Sequence, residues 1–284
     1  MVEPSPLQQR VAQHYSQPPG GDLLAAVLGA LQAAGTDVSG KLRYEDMGGI
    51  DHFHGGALAA TRALAELGEL RPGELVLDMG GGFGGPARTL AAEYGCQVTV
   101  LDPTEAFIRA GQALTERLGL QDAVQFFPGS GLDMPFADEH FDVVWTQNAS
   151  MNIPDKARLV AEQRRVLRPG GRLVFQEICA GPGGDLVCPV PWARDPAISF
   201  LVPPEQVRTL LRETGFEERV WLPLAPGERT PAASATEPVR SAAAVVHGPD
   251  AVAMEAASRR NQAEQRVIYL RGVFVRQASL TTHI

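Results

Sequence analysis

Asp78 closes a short apolar run, and Gly80, Gly81, Gly82, Gly84 and Gly85 follow it almost without interruption before Pro86 opens a helical stretch. Glycine has no Cβ and tolerates positive φ, so such a turn lets the backbone approach a nucleotide-like ligand closely. Two ligand chemistries share the spacing. Gly80-x-Gly82-x-x-Gly85 fits the turn that cradles a dinucleotide pyrophosphate. Asp78-x-Gly80-x-Gly82-x-Gly84 instead fits a nucleoside whose tail ends in an ammonium group. A carboxylate beside the turn repels a pyrophosphate but accepts hydrogen bonds from an ammonium, which favours the second. A purely structural strand-to-helix turn is the plain alternative.

Two further acids stand at strand ends. Asp102 ends the run Val98–Leu101, where a bidentate acceptor can take both hydroxyls of a ribose. Nicotinamide enzymes use the same device, so Asp102 marks a nucleoside without naming it. Asp133 lies in Gly131-Leu132-Asp133-Met134-Pro135-Phe136, after the third apolar run. It can accept from an adenine amino group while Leu132 and Met134 flank the ring. The bland reading of Asp133 is a loop acid at a helix start.

The elements that must position these residues follow from periodicity. Leu75–Leu77, Val98–Leu101, Val124–Phe127, Phe141–Trp145 and Arg172–Ile178 read as strands, with Val267–Gln277 as a late strand interrupted by Gly272. Helical patterns separate them at Pro86–Tyr94, at Phe107 to Leu118 with its stop at Gly119, at Pro154–Leu167 and at Pro204–Thr214. Alternating strands and helices predict a parallel sheet covered on both faces, with ligands beyond the carboxyl ends where strand order reverses. Before residue 70 the chain reads as helix around Leu23–Leu31 and Leu58–Leu67, with the polar loop Asp51–Gly56 between them. Two segments break the rhythm. Residues 180–200, rich in Gly and Pro, read as a lid, and Leu222 to Asp250 as a flexible insertion or helical arm.

Taken together, Asp78-Met-Gly-Gly-Gly-Phe-Gly, Asp102, Leu132-Asp133-Met-Pro-Phe, Phe141-Asp-Val-Val-Trp145 and Leu167-Arg-Pro-Gly-Gly171 resemble the class I S-adenosylmethionine-dependent methyltransferases. The likeness is greatest to the branch of sarcosine/dimethylglycine, tocopherol and bacterial natural-product enzymes, and it covers about residues 40–220. It implies an α/β, Rossmann-like, doubly wound and mostly parallel seven-stranded sheet. Residues 1–70 would be an N-terminal helical cap contributing to the substrate pocket. Residues 71–284 would be the S-adenosylmethionine-binding domain, with insertions at about 180–200 and 222–262. By the same resemblance Gly80 and Gly82 back the methionine portion and Asp78 meets its amino group. Asp102 and Pro103 border the ribose, Leu132 and Asp133 the adenine, and Gln147 the sulfonium region. The loop bearing His54 resembles a segment that closes over the cofactor. Family members often carry Cys where Gly81 stands and His where Asn148 stands.

Methyl transfer is an in-line displacement in which positioning and exclusion of water supply much of the rate, so a catalytic side chain is optional. A base matters only where the acceptor must lose a proton. Candidates are Tyr15, His54 and Glu177, with His14 near Tyr15; Glu177 interrupts an apolar strand and is favoured. His52, His140, His247 and His283 read as surface or capping residues. The acceptor pocket is expected from the cap, including His14, from Asn148 to Ile153 with Met151 and Asn152, and from Val190 to Phe200, where Trp192, Phe200, Met151 and Ile153 make it substantially apolar. That lining suits an aromatic (indole- or quinone-like) or isoprenoid natural product methylated on carbon, with an amine nitrogen next. A nicotinamide-dependent oxidoreductase and a non-catalytic cofactor-binding protein complete the alternatives.

The 284 residues suffice for one large domain, and a formal net charge of −8 argues against a nucleic-acid partner and an anionic membrane surface. No apolar stretch reaches transmembrane length, and the amino terminus lacks a signal-peptide pattern. Cys96, Cys179 and Cys188 lack zinc-like spacing and read as reduced thiols. The expectation is a cytoplasmic enzyme of secondary metabolism that binds a small-molecule acceptor and no metal, with a homodimer as one option for assembly.

Overall fold

Short runs of β-branched and aliphatic residues form the strands of one sheet in the computed structural model, which describes residues 6–15, 21–48, 50–224 and 242–278. The strands are β1 (Leu75–Met79), β2 (Gln97–Asp102), β3 (Val124–Pro128), β4 (Phe141–Gln147), β5 (Leu167–Ala180), β6 (Phe216–Leu224) and β7 (Val267–Arg276). Their order is β3-β2-β1-β4-β5-β7-β6. All run parallel except β7, which is antiparallel to both of its neighbours. From β1 the chain winds outward through β2 and β3, then returns to lay β4 on the other side. The crevice of such a sheet opens at the carboxyl tips of β1 and β4.

The helices are α1 (Pro6–Tyr15), α2 (Leu23–Ala33), α3 (Tyr44–Met47), α4 (Ala57–Leu67), α5 (Gly85–Tyr94), α6 (Glu105–Leu118), α7 (Lys156–Val166), α8 (Pro204–Glu213), α9 (Ala242–His247) and α10 (Asp250–Ala263). Successive strand residues point to opposite faces, and both faces are buried. Leu77, Val144, Leu173 and Phe175 meet Leu159 and Leu211 of α7 and α8 on one side. Val76, Val143, Trp145 and Val174 meet Leu64, Leu90 and Ile108 of α4, α5 and α6 on the other. Burying one such side chain contributes about 1.5–3 kcal/mol, which is why these runs need no polar alternation. A third cluster joins α2 and α9 to α6 through Leu23, Val27, Leu114 and Val246. No helix among the described residues is long and apolar enough to cross a membrane.

Three local expectations change. β6 begins just past the expected helix stop at Gly215, where no strand was expected, and runs into the start of the expected insertion at Leu222. It is an edge strand whose Glu217-Glu218-Arg219 and Pro223 suit a solvent-facing edge and mask the strand pattern. The segment 222–262 contains the end of β6, α9 and most of α10, while residues 225–241 lie outside the described residues. Gly272 does not interrupt β7; a Cβ there would run into the ring of Phe175, so the glycine admits a close cross-strand approach.

Candidate active site

The carboxyl tips of β1, β2 and β4 open into a cavity of about 390 Å³, within the usual span of small-molecule sites. Its floor is the turn after β1. Gly80 has φ +71, and a Cβ there would overlap the side chain of Ala149, so the turn closes tightly against the segment after β4. The Gly80 N–H donates to Leu101 O at 2.7 Å, tying the turn to β2. Asp102 accepts from Gly82 N at 3.0 Å and from Thr104 N at 2.8 Å. Its two oxygens are thereby held in place, each with capacity for a further donor.

Three buried polar atoms on residues of this cavity have no hydrogen-bond partner: Asp78 Oδ2, Gln147 Nε2 and Asn148 Oδ1. Burying such groups unpaired is costly, and their convergence marks a ligand site. The orientation of Gln147 is fixed from behind. The Trp145 indole N–H can only donate, and it reaches Gln147 Oε1 at 3.2 Å; the Thr61 hydroxyl meets the same oxygen at 3.1 Å. The amide nitrogen is left for a ligand acceptor. Asn148 has φ 55, a left-handed conformation that Asn tolerates. Burial, reinforced by Asp102, pushes the Asp78 carboxyl up to about 7, and burial lifts Asp102 to about 6. The pair suits a ligand that brings positive charge and hydroxyl groups. A nucleoside with an ammonium tail meets those requirements.

A buried network docks the loop 51–56 over this floor. His52 Nδ1 meets Asp51 Oδ1 at 2.8 Å, and Arg88 Nε and Nη2 donate to Asp51 Oδ2 at 3.3 Å. Burial alone would raise the Asp51 carboxyl, but His52 and Arg88 outweigh it and hold it below its ordinary value. A Cβ on Gly85 would overlap the Asp51 carbonyl, so loop and glycine turn sit in direct contact. This corrects the reading of His52 as a surface residue. His247 is also buried, with Nε2 on Pro191 O at 2.9 Å.

Tyr15, His54, Asp78, Gly80, Gly82, Asp102, Pro103, Leu132, Gln147, Asn148 and Asn152 all line the cavity. Their chemistry differs from expectation at two of the base candidates. Burial drives the Tyr15 phenol well above its ordinary value, and its O–H donates to Asn152 Oδ1 at 2.8 Å, so it stays protonated. Burial presses His54 down to about 3, and its ring nitrogens face Thr61 Oγ1 at 3.0 Å and Gly55 O at 3.3 Å. An imidazole so engaged and so weakly basic is a poor general base. Glu177 does not line the cavity. Strand alternation turns it toward α7, where it bonds Ser150.

The outer pocket differs more. His14 is bound to Pro191 O at 2.9 Å, and Met151 and Trp192 are packed with Ile178 and Val190 in a separate core cluster. Phe200 engages that same region through its N–H, which donates to Met151 O. None of the four lines the cavity; the side chains of His14, Met151 and Trp192 instead help to hold the 180–200 segment to the body. Asp133 is exposed and likewise outside the wall, and Met134 is in the core beneath α7. Ile153, expected in the pocket, does line it, and the wall is completed by Leu7, Gln8 and Val11 of α1 and by Phe53 and Phe107. Leu7, Val11 and Tyr15 recur at four-residue steps, a helical stripe that was readable in the sequence. Tyr15, Phe53 and Phe107 form an aromatic group with centroids 5.8–6.3 Å apart. Among the described residues no cluster of His, Cys, Asp or Glu could hold a metal ion.

Residues 77–175 match the family model described as a methyltransferase domain. A sarcosine/dimethylglycine N-methyltransferase of Halorhodospira halochloris is 33% identical over 154 residues, 53% of this chain and 54% of that protein. The aligned stretches span only 19% to 54% of the first curated relatives' own lengths. In structure, geranyl diphosphate C-methyltransferase from Streptomyces coelicolor A3(2), in complex with Mg2+, geranyl diphosphate and S-adenosyl-L-homocysteine, superposes with a TM-score of 0.70 at 17% identity. That match covers 97% of this chain and 100% of the other. The [4+2]-cyclase SpnF superposes with a TM-score of 0.64 at 22% identity, covering 98% and 100%. At these identities the structural matches speak for the fold alone.

Proposed function

We propose, from the methyltransferase domain matched over residues 77–175, that the chain acts as a class I S-adenosylmethionine-dependent methyltransferase on a small, uncharged, largely apolar acceptor. A carbon of an aromatic (indole- or quinone-like) or isoprenoid compound is the first choice of methylated atom, and an amine nitrogen the second. The setting we infer is secondary metabolism in the cytoplasm, with residues 1–70 as the cap that reads the acceptor and 71–284 as the cofactor domain.

The observation that carries the proposal is the lining of one cavity, in which the acids Asp78 and Asp102 at the strand tips are joined by the apolar Leu7, Val11, Phe53, Phe107 and Ile153. No Lys or Arg is among the described residues that line it. An anionic acceptor would lose its hydration without gaining a cationic partner, at a cost of several kcal/mol.

Bound S-adenosylmethionine would supply an electrophilic methyl group on a sulfonium. Asp78 would hold its ammonium group and Asp102 its ribose hydroxyls, while Gly80 and Gly82 keep the floor clear of side chains. Leu132 would lie against the adenine, and Gln147 Nε2 would donate to a polar atom near the reacting centre. The cap excludes water, and positioning of this kind is worth on the order of 7–11 kcal/mol in favourable cases. No base candidate of the cavity is both free and suitably basic; an amine attacks with no proton to lose before transfer, whereas attack through a π bond leaves a cation whose proton must pass to water. A nicotinamide cofactor fits poorly, because Asp78 would oppose its pyrophosphate.

The test is incubation of the protein with labelled cofactor and host metabolite extract, followed by product mass. Geraniol and geranyl diphosphate make a matched pair of probes: the alcohol should bind in the presence of S-adenosylhomocysteine and the diphosphate should not. Tighter binding of the diphosphate, or no label in any extract component, counts against the proposal.

A further inference from the structure

Glu177 is a buried charge and Lys156 a half-buried one, and neither lines the cavity. In β5, Gln176 faces α4, where it donates to Gly55 O at 3.1 Å, so Glu177 must face α7. There its oxygens accept from the Ser150 N–H at 3.3 and 3.4 Å, from the Ser150 hydroxyl at 2.8 Å and from Thr146 Oγ1 at 3.4 Å. Lys156 Nζ, at the start of α7, donates to Ser150 O. Both polar groups of that serine's backbone, and its hydroxyl, are therefore gripped by one carboxylate and one ammonium.

The gripped segment is a partition. Asn148, Ala149, Asn152, Ile153 and Pro154 line the large cavity, whereas Ser150 lines a separate space of about 50 Å³ shared with Lys156 and Glu177. Ala149 also leans on Gly80, and Asn152 takes the Tyr15 hydroxyl while donating to Trp192 O and Ile198 O. One turn thus touches the cofactor floor, the α1 helix and the 180–200 segment.

We propose that Glu177, acting with Lys156, is a positioning residue that clamps Ser150 from behind the sheet and so sets this wall of the cavity. It touches no reacting atom. Burial resists ionisation of the carboxyl, and the Ser150 bonds and Lys156 work against that resistance. The function of the wall rests on the methyl-transfer reading, but the clamp itself is measurable without turnover.

The experiment is hydrogen exchange over residues 148–153 of the full chain, with and without S-adenosylhomocysteine, for Glu177→Ala, Glu177→Gln, Lys156→Ala and Ser150→Ala, alongside calorimetric affinity for S-adenosylhomocysteine. Glu177→Ala should speed exchange of the turn by about tenfold or more while exchange in β1 and β2 stays native, as for loss of charged hydrogen bonds confined to one local unit. Glu177→Gln, which keeps an acceptor for Ser150, should restore most of the protection. Lys156→Ala and Ser150→Ala should fall between, and affinity should fall in step with lost protection. Native exchange in Glu177→Ala would overturn the clamp. So would a Glu177→Gln protein with native exchange and affinity that has lost methyl transfer, since that pattern belongs to a base. Should the wild type fail to bind S-adenosylhomocysteine at all, the methyl-transfer reading falls while the exchange series still decides the clamp.

Discussion

Cofactor binding should depend steeply on pH, with Asp78 as the main cause. In the ligand-free protein burial and the neighbouring Asp102 raise its carboxyl to about 7, so it is half protonated near neutrality. A ligand ammonium binds the ionised form. A raised acid is protonated as pH falls, so affinity must weaken on acidification and a proton must be released on binding. For a single group the apparent Kd scales as 1 + 10^(pKa−pH), and each unit of pKa displacement corresponds to about 1.36 kcal/mol. Between pH 7.5 and 5.5, below the range where the ligand's own amino group titrates, a value of about 7 weakens binding about 25-fold, or about 1.9 kcal/mol. Asp102, at about 6, contributes up to a further fourfold or so over the same interval. The two carboxyls titrate as a coupled pair, so the measured inflections belong to the pair. The assay is calorimetry with S-adenosylhomocysteine at several pH values, in buffers of different ionisation enthalpy to count protons. Asp78→Asn should weaken binding at pH 7.5 and flatten most of the slope. A wild-type Kd constant from pH 5.5 to 7.5, or an unaltered slope in Asp78→Asn, would refute the reasoning.

Further expectations concern single contacts. Asp102→Ala should weaken S-adenosylhomocysteine binding by about 1.5–3 kcal/mol, the range for hydrogen bonds to a charged group; an unchanged dissociation constant removes its ribose role. Gly80→Ala should cost at least about 1–2 kcal/mol of ligand affinity or stability, from a left-handed backbone and the overlap with Ala149, read by calorimetry and thermal melting. Arg88→Met leaves Asp51 buried without its guanidinium and should destabilise the protein by about 3–5 kcal/mol in urea unfolding; a loss under about 1 kcal/mol would show that His52 alone suffices. Tyr15→Phe removes one bond to Asn152 and should cost about 0.5–1.5 kcal/mol of stability while leaving S-adenosylhomocysteine affinity within error.

The cavity residues at the strand tips were legible because their determinants are local. A strand, an acid and a glycine turn are neighbours in sequence, and β2 delivers Asp102 by the same geometry that delivers Asp78. Much of the apolar lining was not, because an apolar residue looks the same whether it lines a cavity or fills a core. Trp192 and Met151 are core residues, while Leu7 and Val11, which carry no special chemistry, form the wall. Histidines mislead for a related reason. His52 and His247 are buried by partners far along the chain, Thr89 for the first and Pro191 for the second, and no local pattern foretells such pairings. For Glu177 the strand end was correct but the face was not; a one-residue change of parity separates Gln176 from Glu177 and with it one side of the sheet from the other.

The α1 helix is a short, self-contained part of the cavity wall. Its ten residues line one side through Leu7, Val11 and Tyr15, and polar ties to the body run through Gln8, Arg10, His14 and Tyr15. On the methyl-transfer reading, replacing that short cassette would change which molecule is admitted while Asp78, Asp102 and the glycine turn, all supplied by the sheet, stay in the chain, a route to new acceptors through very few codon changes.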